Sequence, residues 1–395
     1  MGSKSRQLRT GYTTGACAAA ATKAAVSILC RTISASADGL PGPGPSEPNL
    51  SKPSSSELLE TVIPQQVEIP FPDGSRHKFK IHDAGFTIGD KTAWASVIKD
   101  AGDDPDITNR AEIRSDVILK DNNENAEVII RGGTGVGVVT RPGLPVRIGE
   151  PAINPGPSRM IQEAVSEAKN EAKTLGIQCL EVTISVPDGE RLAKKTLNSR
   201  LGIVGGISIL GSTGIVRPIS SEAWTATISA SMDVARAMGH SEIVLSSGRT
   251  SEHAHMAHYK LPEEMYVMMG DYLEYALRAA AEHDFARIHL SAQWAKMLKI
   301  AMVTPQTHVR HGALDTKKAA DFVKALGAHI DDNAAEFNTA REMLDVLFSS
   351  SINNTGAILS KVCAAAKQFA ESFTNGVPVT IYLISYEGTV IAHHE

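Results

Sequence analysis

Clustered carboxylates stand out in the stretch KDAGDDPDITN, which follows a predicted strand and contains Asp100, Asp103, Asp104 and Asp106. Carboxylates placed this close together can hold a hard cation or supply a general base. Asp and Gly are also the usual residues of turns, so a solvated turn is the alternative. We take Asp103, Asp104 and Asp106 as the candidate catalytic residues.

A glycine-rich turn in GIVGGISILGSTGIVRP is a second candidate site. The pattern predicts an apolar strand, a turn at 211–214 and then a helix, and ligands bind outside the carboxyl ends of such parallel strands. Glycines let a ligand approach backbone N–H groups, and Ser212 and Thr213 add hydroxyls. Because the Walker lysine is absent, a P-loop is not favoured, and a merely tight loop is the alternative. We expect a nucleotide-like ligand here, with Glu252 after the next strand as the candidate partner of ribose hydroxyls.

The N-terminal stretch RTGYTTGACAAAATKAA places a basic residue and a Gly/Thr turn ahead of an alanine run. Alanine predicts a helix, and Thr13 or Thr14 can cap its start. A helix N-terminus flanked by hydroxyls and Arg9 is suited to binding an anion. The small residues equally suit tight packing against a sheet, and the two interpretations are compatible.

A glycine- and proline-rich segment at 131–160 carries Arg131, Arg141, Arg147 and Arg159. Arginine pairs bidentately with carboxylates or phosphates, which lysine does less well. We expect two of the four to contact a ligand.

Metal ligands are not indicated by the cysteines or by the histidine run at His253, His255 and His258. The four cysteines show no CxxC spacing, and on a helix His253 falls away from the face shared by the other two. We therefore predict no protein-bound metal and no disulfide framework.

Composition describes an ordinary globular chain of 395 residues, with 42% hydrophobic and 21% charged residues. A net charge of −5 argues against nonspecific nucleic-acid binding, so an anionic ligand needs a local basic pocket. We find no apolar run of about 18 residues and no signal peptide, and expect a cytoplasmic protein that makes no contact with membranes.

The elements that must position these residues fall into two groups. Residues 1–200 predict a mixed α+β domain, interrupted at 34–64 by a Pro/Gly/Ser-rich, flexible and dispensable insertion. From Cys179 onward strands alternate with helices, which is typical of a parallel sheet. We therefore expect residues 201–395 to form a Rossmann-like α/β domain that ends in a pair of strands.

Taken together, these motifs resemble the cobalt-precorrin-5B (carbon-1)-methyltransferase family of anaerobic cobalamin biosynthesis. The likeness extends over nearly the whole chain outside the insertion. The stretches that carry it are LRTGYTTGACAAAATKAA, KDAGDDPDIT, GVGVVTRPGLPV, GEPAINPGPSRMI, ISVPDGE, TLNSRLGIVGGISILGSTGIVRP and, less tightly, GRTSE, MGDYLEYAL, KMLKIA and QTHVRHG.

The resemblance implies methylation of ring carbon 1 of cobalt-precorrin-5B to give cobalt-precorrin-6A, with S-adenosylmethionine as methyl donor and cobalt present only inside the substrate. We assign donor binding to Gly205, Gly206, Gly211, Ser212, Thr213, Gly214 and Glu252. We assign binding of the corrinoid substrate to Arg9, Thr13, Thr14, Arg141, Asn154, Arg217, Lys296 and His308. The alanine helix is then expected to let the flat macrocycle approach. A homodimer and transient contacts with neighbouring pathway enzymes fit this role.

Methyl transfer from a sulfonium needs positioning more than a nucleophilic side chain, and positioning can supply roughly 7–11 kcal/mol. A nearby carboxylate can favour the cationic donor or accept a proton. Two other classes remain open at this stage: a small-molecule kinase that holds phosphate in the Gly/Ser/Thr loops, and a non-catalytic tetrapyrrole carrier.

Overall fold

The computed structural model describes residues 8–37, 62–87, 91–120, 128–172, 179–304, 313–330 and 337–395. The chain divides into two compact units, Met1–Ser220 (unit 1) and Ser221–Glu395 (unit 2). The boundary therefore falls at Ser220 and not near residue 200. Most of the predicted insertion, 38–61, lies outside the described residues, and 34–37 belong to a helix.

Unit 1 is a mixed α+β unit built around a five-stranded sheet. Its strands are β1 (Gly11–Tyr12), β2 (Gln66–Pro70), β3 (Arg76–Lys80), β4 (Asp83–Thr87), β5 (Thr92–Ile98), β6 (Glu112–Lys120), β7 (Val128–Gly132), β8 (Val138–Val139), β9 (Cys179–Ser185), β10 (Ile203–Val204) and β11 (Ile215–Val216), and its helices are α1 (Thr14–Ala37), α2 (Pro155–Ala172) and α3 (Gly189–Ala193). The main sheet has the order β4-β5-β6-β9-β7, in which only β7 and β9 are parallel. Period-two alternation in QVEIPF and HKFKIH around the dipeptide DG predicts a hairpin, which is present as β2–β3, separate from this sheet.

Helix α1 forms the centre of the unit 1 core. Its alanines from Ala16 to Ala25 are fully buried and belong to the same apolar cluster as residues of α2, β5 and β6. Small side chains let the helix approach a sheet and a second helix closely. The expectation that a macrocycle approaches this helix is therefore wrong, and the packing interpretation explains the alanine run.

Length and apolar composition alone would let the segment Thr14–Ser34 of α1 cross a membrane, with a mean hydropathy of 1.3. Because Lys23 and Arg31 interrupt this segment, it is not an unbroken apolar run of about 18 residues. In the fold 89% of it is buried inside the protein, as expected of a core helix.

Lys23 carries the one charge that α1 buries deeply within the described residues, at 4% exposure. Its ammonium donates to Glu167 at 2.8 Å and Glu171 at 2.7 Å on α2, and to the Glu68 carbonyl on β2 at 2.9 Å. Arg76 on β3 pairs with both Glu167 and Glu68. This network ties α1 and α2 to the hairpin.

Acid should weaken unit 1 through Glu167. Hydrogen bonds from Arg76, with a further contribution from Lys23, lower its pKa from 4.5 to about 2. Because the folded pKa is depressed, the stabilisation is complete above about pH 4.5 and disappears as the pH falls towards 2. For a side chain that is 29% exposed, we expect a loss on the order of 2 kcal/mol. Urea titrations across this window should show a smaller pH dependence for Glu167→Gln; an identical dependence would exclude this residue as the cause.

Unit 2 contains a second five-stranded sheet, of order β13-β12-β14-β15-β16. Its elements are α4 (Ser221–Ala237), β12 (Glu242–Ser246), α5 (Arg249–Tyr259), β13 (Tyr266–Met268), α6 (Leu273–Glu282), β14 (Arg287–Gln293), α7 (Trp294–Ala301), α8 (Thr316–Ala325), α9 (Ala340–Ser349), α10 (Thr355–Glu371), β15 (Val379–Ile384) and β16 (Val390–His394). Four strands are parallel, and β16 pairs antiparallel with β15 at the edge. The whole chain is thus a mixed α/β protein with sheets of mixed orientation.

Candidate functional site

Three segments singled out in the sequence meet in unit 1: the N-terminal stretch, the acidic loop (residues 100–106) and the 211–214 turn. Strand β1 pairs with β11, which directly follows the turn, and Thr13 N donates to Gly214 O at 3.0 Å. On its other side, Tyr12 N donates to the Asp100 carbonyl at 2.7 Å. The N-terminal stretch therefore lies between the other two.

Two helices begin beside this turn. Gly15, at the start of α1, donates its N–H to Leu210 O at 3.0 Å. Gly156, at the start of α2, lies so close that an added Cβ would be 3.2 Å from Ser212 Cα. Helix N-termini attract negative charge, but the first N–H groups of α1 already have acceptors within the protein, so of these two helices α2 is the one whose start favours an anion near the turn.

Thr13 and Thr14 do not form the open anion position that we expected with Arg9. Both are buried; the Thr13 hydroxyl caps Ala16 N at 3.1 Å, and the Thr14 hydroxyl accepts from Leu210 N at 2.9 Å. Arg9 instead forms a bidentate pair with Asp100, at 2.6 and 2.9 Å. This hydrogen bond lowers the pKa of Asp100.

Each candidate aspartate bonds to the protein itself. Asp103 accepts from Arg9 N at 2.8 Å, and Asp104 accepts from Ile219 N at 2.9 Å. Asp106 pairs with Lys99, a side chain only 1% exposed, and accepts two bonds of 2.6 Å from Thr108. Burial raises the pKa of Asp106, but the Lys99 charge and the Thr108 donors outweigh it, so the net pKa is lowered. Asp106 is therefore a structural counterion and is poorly placed to act as a base.

The 211–214 turn does not end a regular parallel strand, as we had expected. Before it, Ile203–Val204 form β10, which is antiparallel to β8, and Ile207 and Ile209 form isolated bridges. After it, the short strand β11 precedes the expected helix, α4. Gly211 has φ +117°, and an added Cβ would lie 2.3 Å from Thr13 Cβ, so its conformation and packing already require glycine. A Gly211→Val substitution would consequently disturb folding and cannot test binding alone.

The other glycines assigned to the donor also have local explanations. A Cβ on Gly206 would lie 2.1 Å from Gly135 O, so two backbones touch there. Gly205 has φ +85° in an exposed turn. Of the polar residues in the 211–214 turn, Ser212 is exposed, and Thr213 accepts from Ile215 N at 3.3 Å.

Among the basic residues, Arg217 is exposed and has no hydrogen-bond or ion-pair partner within the part of unit 1 that the structure describes. Arg141 donates to Arg200 O at 2.9 Å and packs on Gly202. Asn154, just before α2, is half-buried and bonded through its backbone N–H to Ile209 O. Of the three arginines assigned to substrate binding, Arg217 is therefore the one best able to pair with a ligand carboxylate.

An open groove of about 700 Å³ lies between the hairpin turn at residues 70–74 and the face of α2 that carries Arg159 and Glu163. Phe71 lines it, and a Cβ on Gly214 would lie 2.7 Å from the Phe71 ring. The groove is thus adjacent to the 211–214 turn, and its volume is in the range of small-molecule sites.

Three residues that we assigned to donor or substrate binding are not among the described residues of unit 1. Glu252 lies in the first turn of α5 in unit 2, just after β12, and is fully buried, so its carboxylate is not open to a ligand in this structure. Lys296, also in unit 2, donates to Ser247 O at 2.6 Å and pairs with Asp271 at 3.0 Å. His308 lies outside the described residues. The residues predicted to form one donor site within one domain therefore belong to two different units.

A mixed α/β chain with an open groove of this volume in unit 1 is able to bind a small molecule. A family model described as CbiD matches residues 1–42 and 49–218, almost to the end of unit 1. The chain belongs to this CbiD family.

Curated relatives match nearly the whole chain. The cobalt-precorrin-5B C(1)-methyltransferase of Desulfotalea psychrophila is 46% identical, over 99% of this chain and 98% of its own. The enzyme of the same name from Geobacter metallireducens is 43% identical, over 98% of each chain. A crystal structure of a cobalamin biosynthesis protein (cbiD) from Archaeoglobus fulgidus is 26% identical, covers 74% of this chain and 79% of that one, and has a TM-score of 0.35.

Proposed function

We propose that this protein transfers a methyl group from S-adenosylmethionine to ring carbon 1 of cobalt-precorrin-5B, giving cobalt-precorrin-6A. The observation that carries this proposal is the 46% identity to a cobalt-precorrin-5B C(1)-methyltransferase over 99% of the chain. Cobalt enters as part of the substrate. Because relatives over both units carry this methyltransferase name, the kinase and carrier alternatives lose their support.

Positioning is the main task for the protein in this reaction. The sulfonium is already an activated donor, so the chain must hold its methyl group in line with an electron-rich ring carbon. We propose that the 211–214 turn, with the start of α2 beside it, orients carboxylate arms of the macrocycle. Arg217 supplies a nearby positive charge, and Asn154 an amide.

The acidic loop supports this arrangement. Asp100 pairs with the Arg9 side chain, and Asp103 accepts a hydrogen bond from the Arg9 backbone N–H. Asp104 accepts one from the Ile219 backbone N–H, just after β11. Asp103 and Asp104 remain our candidates for proton acceptance, since neither is paired with a buried cation. We propose a cytoplasmic enzyme that acts without nucleic acid or membrane, as a homodimer that transiently contacts neighbouring pathway enzymes.

Mass spectrometry tests the reaction directly. Cobalt-precorrin-5B incubated with the protein and S-adenosylmethionine should gain one methyl group, with release of S-adenosylhomocysteine. Titration calorimetry separates the alternatives, because a kinase would bind ATP–Mg far better than S-adenosylmethionine and a carrier would bind corrinoid alone. Either of those results, without methylation, would overturn the proposal.

Arg217→Ala should weaken corrinoid binding by about tenfold or more, because a charge-assisted hydrogen bond contributes about 1.5–3 kcal/mol. Its melting temperature should stay unchanged, since the exposed side chain has no partner within the described part of unit 1. Arg191→Ala is the matched control, because Arg191 on α3 is exposed and, among the described residues, pairs only with Asp188 just before this helix. Equal corrinoid affinity in the two variants would remove Arg217 from the site.

A further inference from the structure

The sheet of unit 2 has a topological switch point between β12 and β14. From β12 the chain passes through α5 to β13 on one side, and then through α6 to β14 on the other. Connections that diverge in this way leave a crevice outside the carboxyl ends of the two strands, and ligands of open α/β sheets bind there.

The turn after β12 leaves room for a ligand. Gly248 precedes α5 with φ 176° and ψ 169°, an extended conformation that any residue can adopt, and no side chain caps this helix. A Cβ added at Gly248 would have nothing within 4 Å. Neither its conformation nor packing inside the chain explains a glycine at this position.

The turn after β13 presents an acidic residue beside the first turn. Lys296 binds Ser247 O at 2.6 Å and Asp271 Oδ1 at 3.0 Å, so one ammonium group joins the two loops. Asp271 comes about 20 residues after Gly248, with a helix and a strand between them, the spacing at which an acidic residue binds a ribose diol. Its side chain is 22% exposed and therefore accessible.

An aromatic surface lies next to Asp271. Trp224 donates its indole N–H to Met269 O at 3.2 Å and stacks on Tyr272, with ring centroids 6.3 Å apart. Trp224 is still 44% exposed and lies against Gly270. A fixed, exposed indole offers a stacking surface for a purine base.

Two buried donors lack partners at the ends of the same two strands. Ser246 ends β12 and Trp294 follows β14; both are fully buried, and neither Ser246 Oγ nor Trp294 Nε1 has a hydrogen-bond partner among the described residues. A buried donor without a partner costs about 1–3 kcal/mol. A buried water or a polar group of a ligand that reaches this edge would satisfy them.

We propose that the adenosyl part of S-adenosylmethionine binds at this edge of unit 2. Its ribose diol hydrogen-bonds to Asp271, its adenine stacks on Trp224, and the ligand passes close to the backbone at Gly248. The inference rests on the proposed function for the identity of the ligand. It assigns the donor to unit 2 instead of to the 211–214 turn, where the sequence had suggested it.

Gly248→Val provides the test, because the fold tolerates a side chain there and a ligand would not. Calorimetry with S-adenosylhomocysteine should show affinity reduced about tenfold or more, with an unchanged melting temperature. Ser212→Val, a change to the same residue at an exposed position in the 211–214 turn, should leave this affinity unchanged. The reverse pattern, or equal affinities in both variants, would overturn the proposed site.

A second measurement examines the ribose contact. The wild-type protein should bind the 2′,3′-dideoxy analogue of S-adenosylhomocysteine about tenfold more weakly than the parent compound, and Asp271→Asn should discriminate less. Undiminished discrimination would exclude Asp271. If the wild-type protein binds no S-adenosylhomocysteine and methylates nothing, the proposed function fails; if it methylates but Gly248→Val binds normally, only the site fails.

Discussion

Asp106→Asn should lower the free energy of unfolding by about 3–5 kcal/mol, because it leaves the Lys99 ammonium buried without a counter-charge. Lys99 is 1% exposed, and its side chain pairs with the Asp106 carboxylate. Asparagine keeps an oxygen for the two Thr108 donors, so the substitution removes mainly the charge. Urea denaturation at neutral pH measures the effect.

The double variant Lys99→Met/Asp106→Asn is the control for this prediction. Removing both charges should recover much of the lost stability, because the cost arises from an unpaired buried ammonium. Asp103→Asn, in the same loop but exposed, should change stability by less than about 1 kcal/mol. A similarly small effect of Asp106→Asn would return this residue to the list of candidate bases.

Local patterns predicted much of the fold. The hairpin β2–β3 lies where alternation around a turn dipeptide placed it, and β15 and β16 form the expected terminal pair. A helix predicted at 158–174 is observed as α2, Pro155–Ala172. These elements have strong periodicity or turn residues of their own, so local preference and tertiary packing agree.

Elements set by long-range pairing were harder to predict. The alternation of strands and helices from Cys179 onward predicts a parallel sheet, but β9 pairs antiparallel with β6 and parallel with β7 in unit 1. The sequence also predicts one helix over 263–282, whereas β13 occupies Tyr266–Met268 and α6 begins at Leu273. A strand this short gives no period-two signal, and missing it concealed Asp271 at its end.

The candidate site was also predicted in its local segments but not in its long-range contacts. The sequence identified the N-terminal stretch, the acidic loop and the 211–214 turn separately, and the structure brings them together in unit 1. Sequence alone did not show that Thr13, Thr14 and Asp106 satisfy internal partners, because those partners are distant in the chain. Lys99 offered one signal that was missed: a lysine between an apolar strand and an acidic loop indicates a buried ion pair.

The contact between the N-terminal stretch and the acidic loop leads to the second large effect. Gly11→Ala should destabilise unit 1 by about 3 kcal/mol, the upper end of overpacking costs, because the displaced atoms are backbone and cannot rotate away. An added Cβ would lie 2.0 Å from the Ala101 carbonyl carbon and 2.4 Å from Gly102 N. The loop would have to move, which would also disturb the bond from Tyr12 N to Asp100 O at 2.7 Å.

Gly248→Ala is the matched control, since a Cβ there meets nothing within 4 Å and the backbone is extended. Thermal unfolding of the two alanine variants should therefore differ by several degrees, with Gly248→Ala close to the wild-type protein. Corrinoid affinity should fall in Gly11→Ala even at temperatures where it remains folded, because strand β1 sets the spacing between the acidic loop and β11. If Gly11→Ala unfolds like Gly248→Ala, the acidic loop can yield at no cost and does not hold the N-terminal stretch in place.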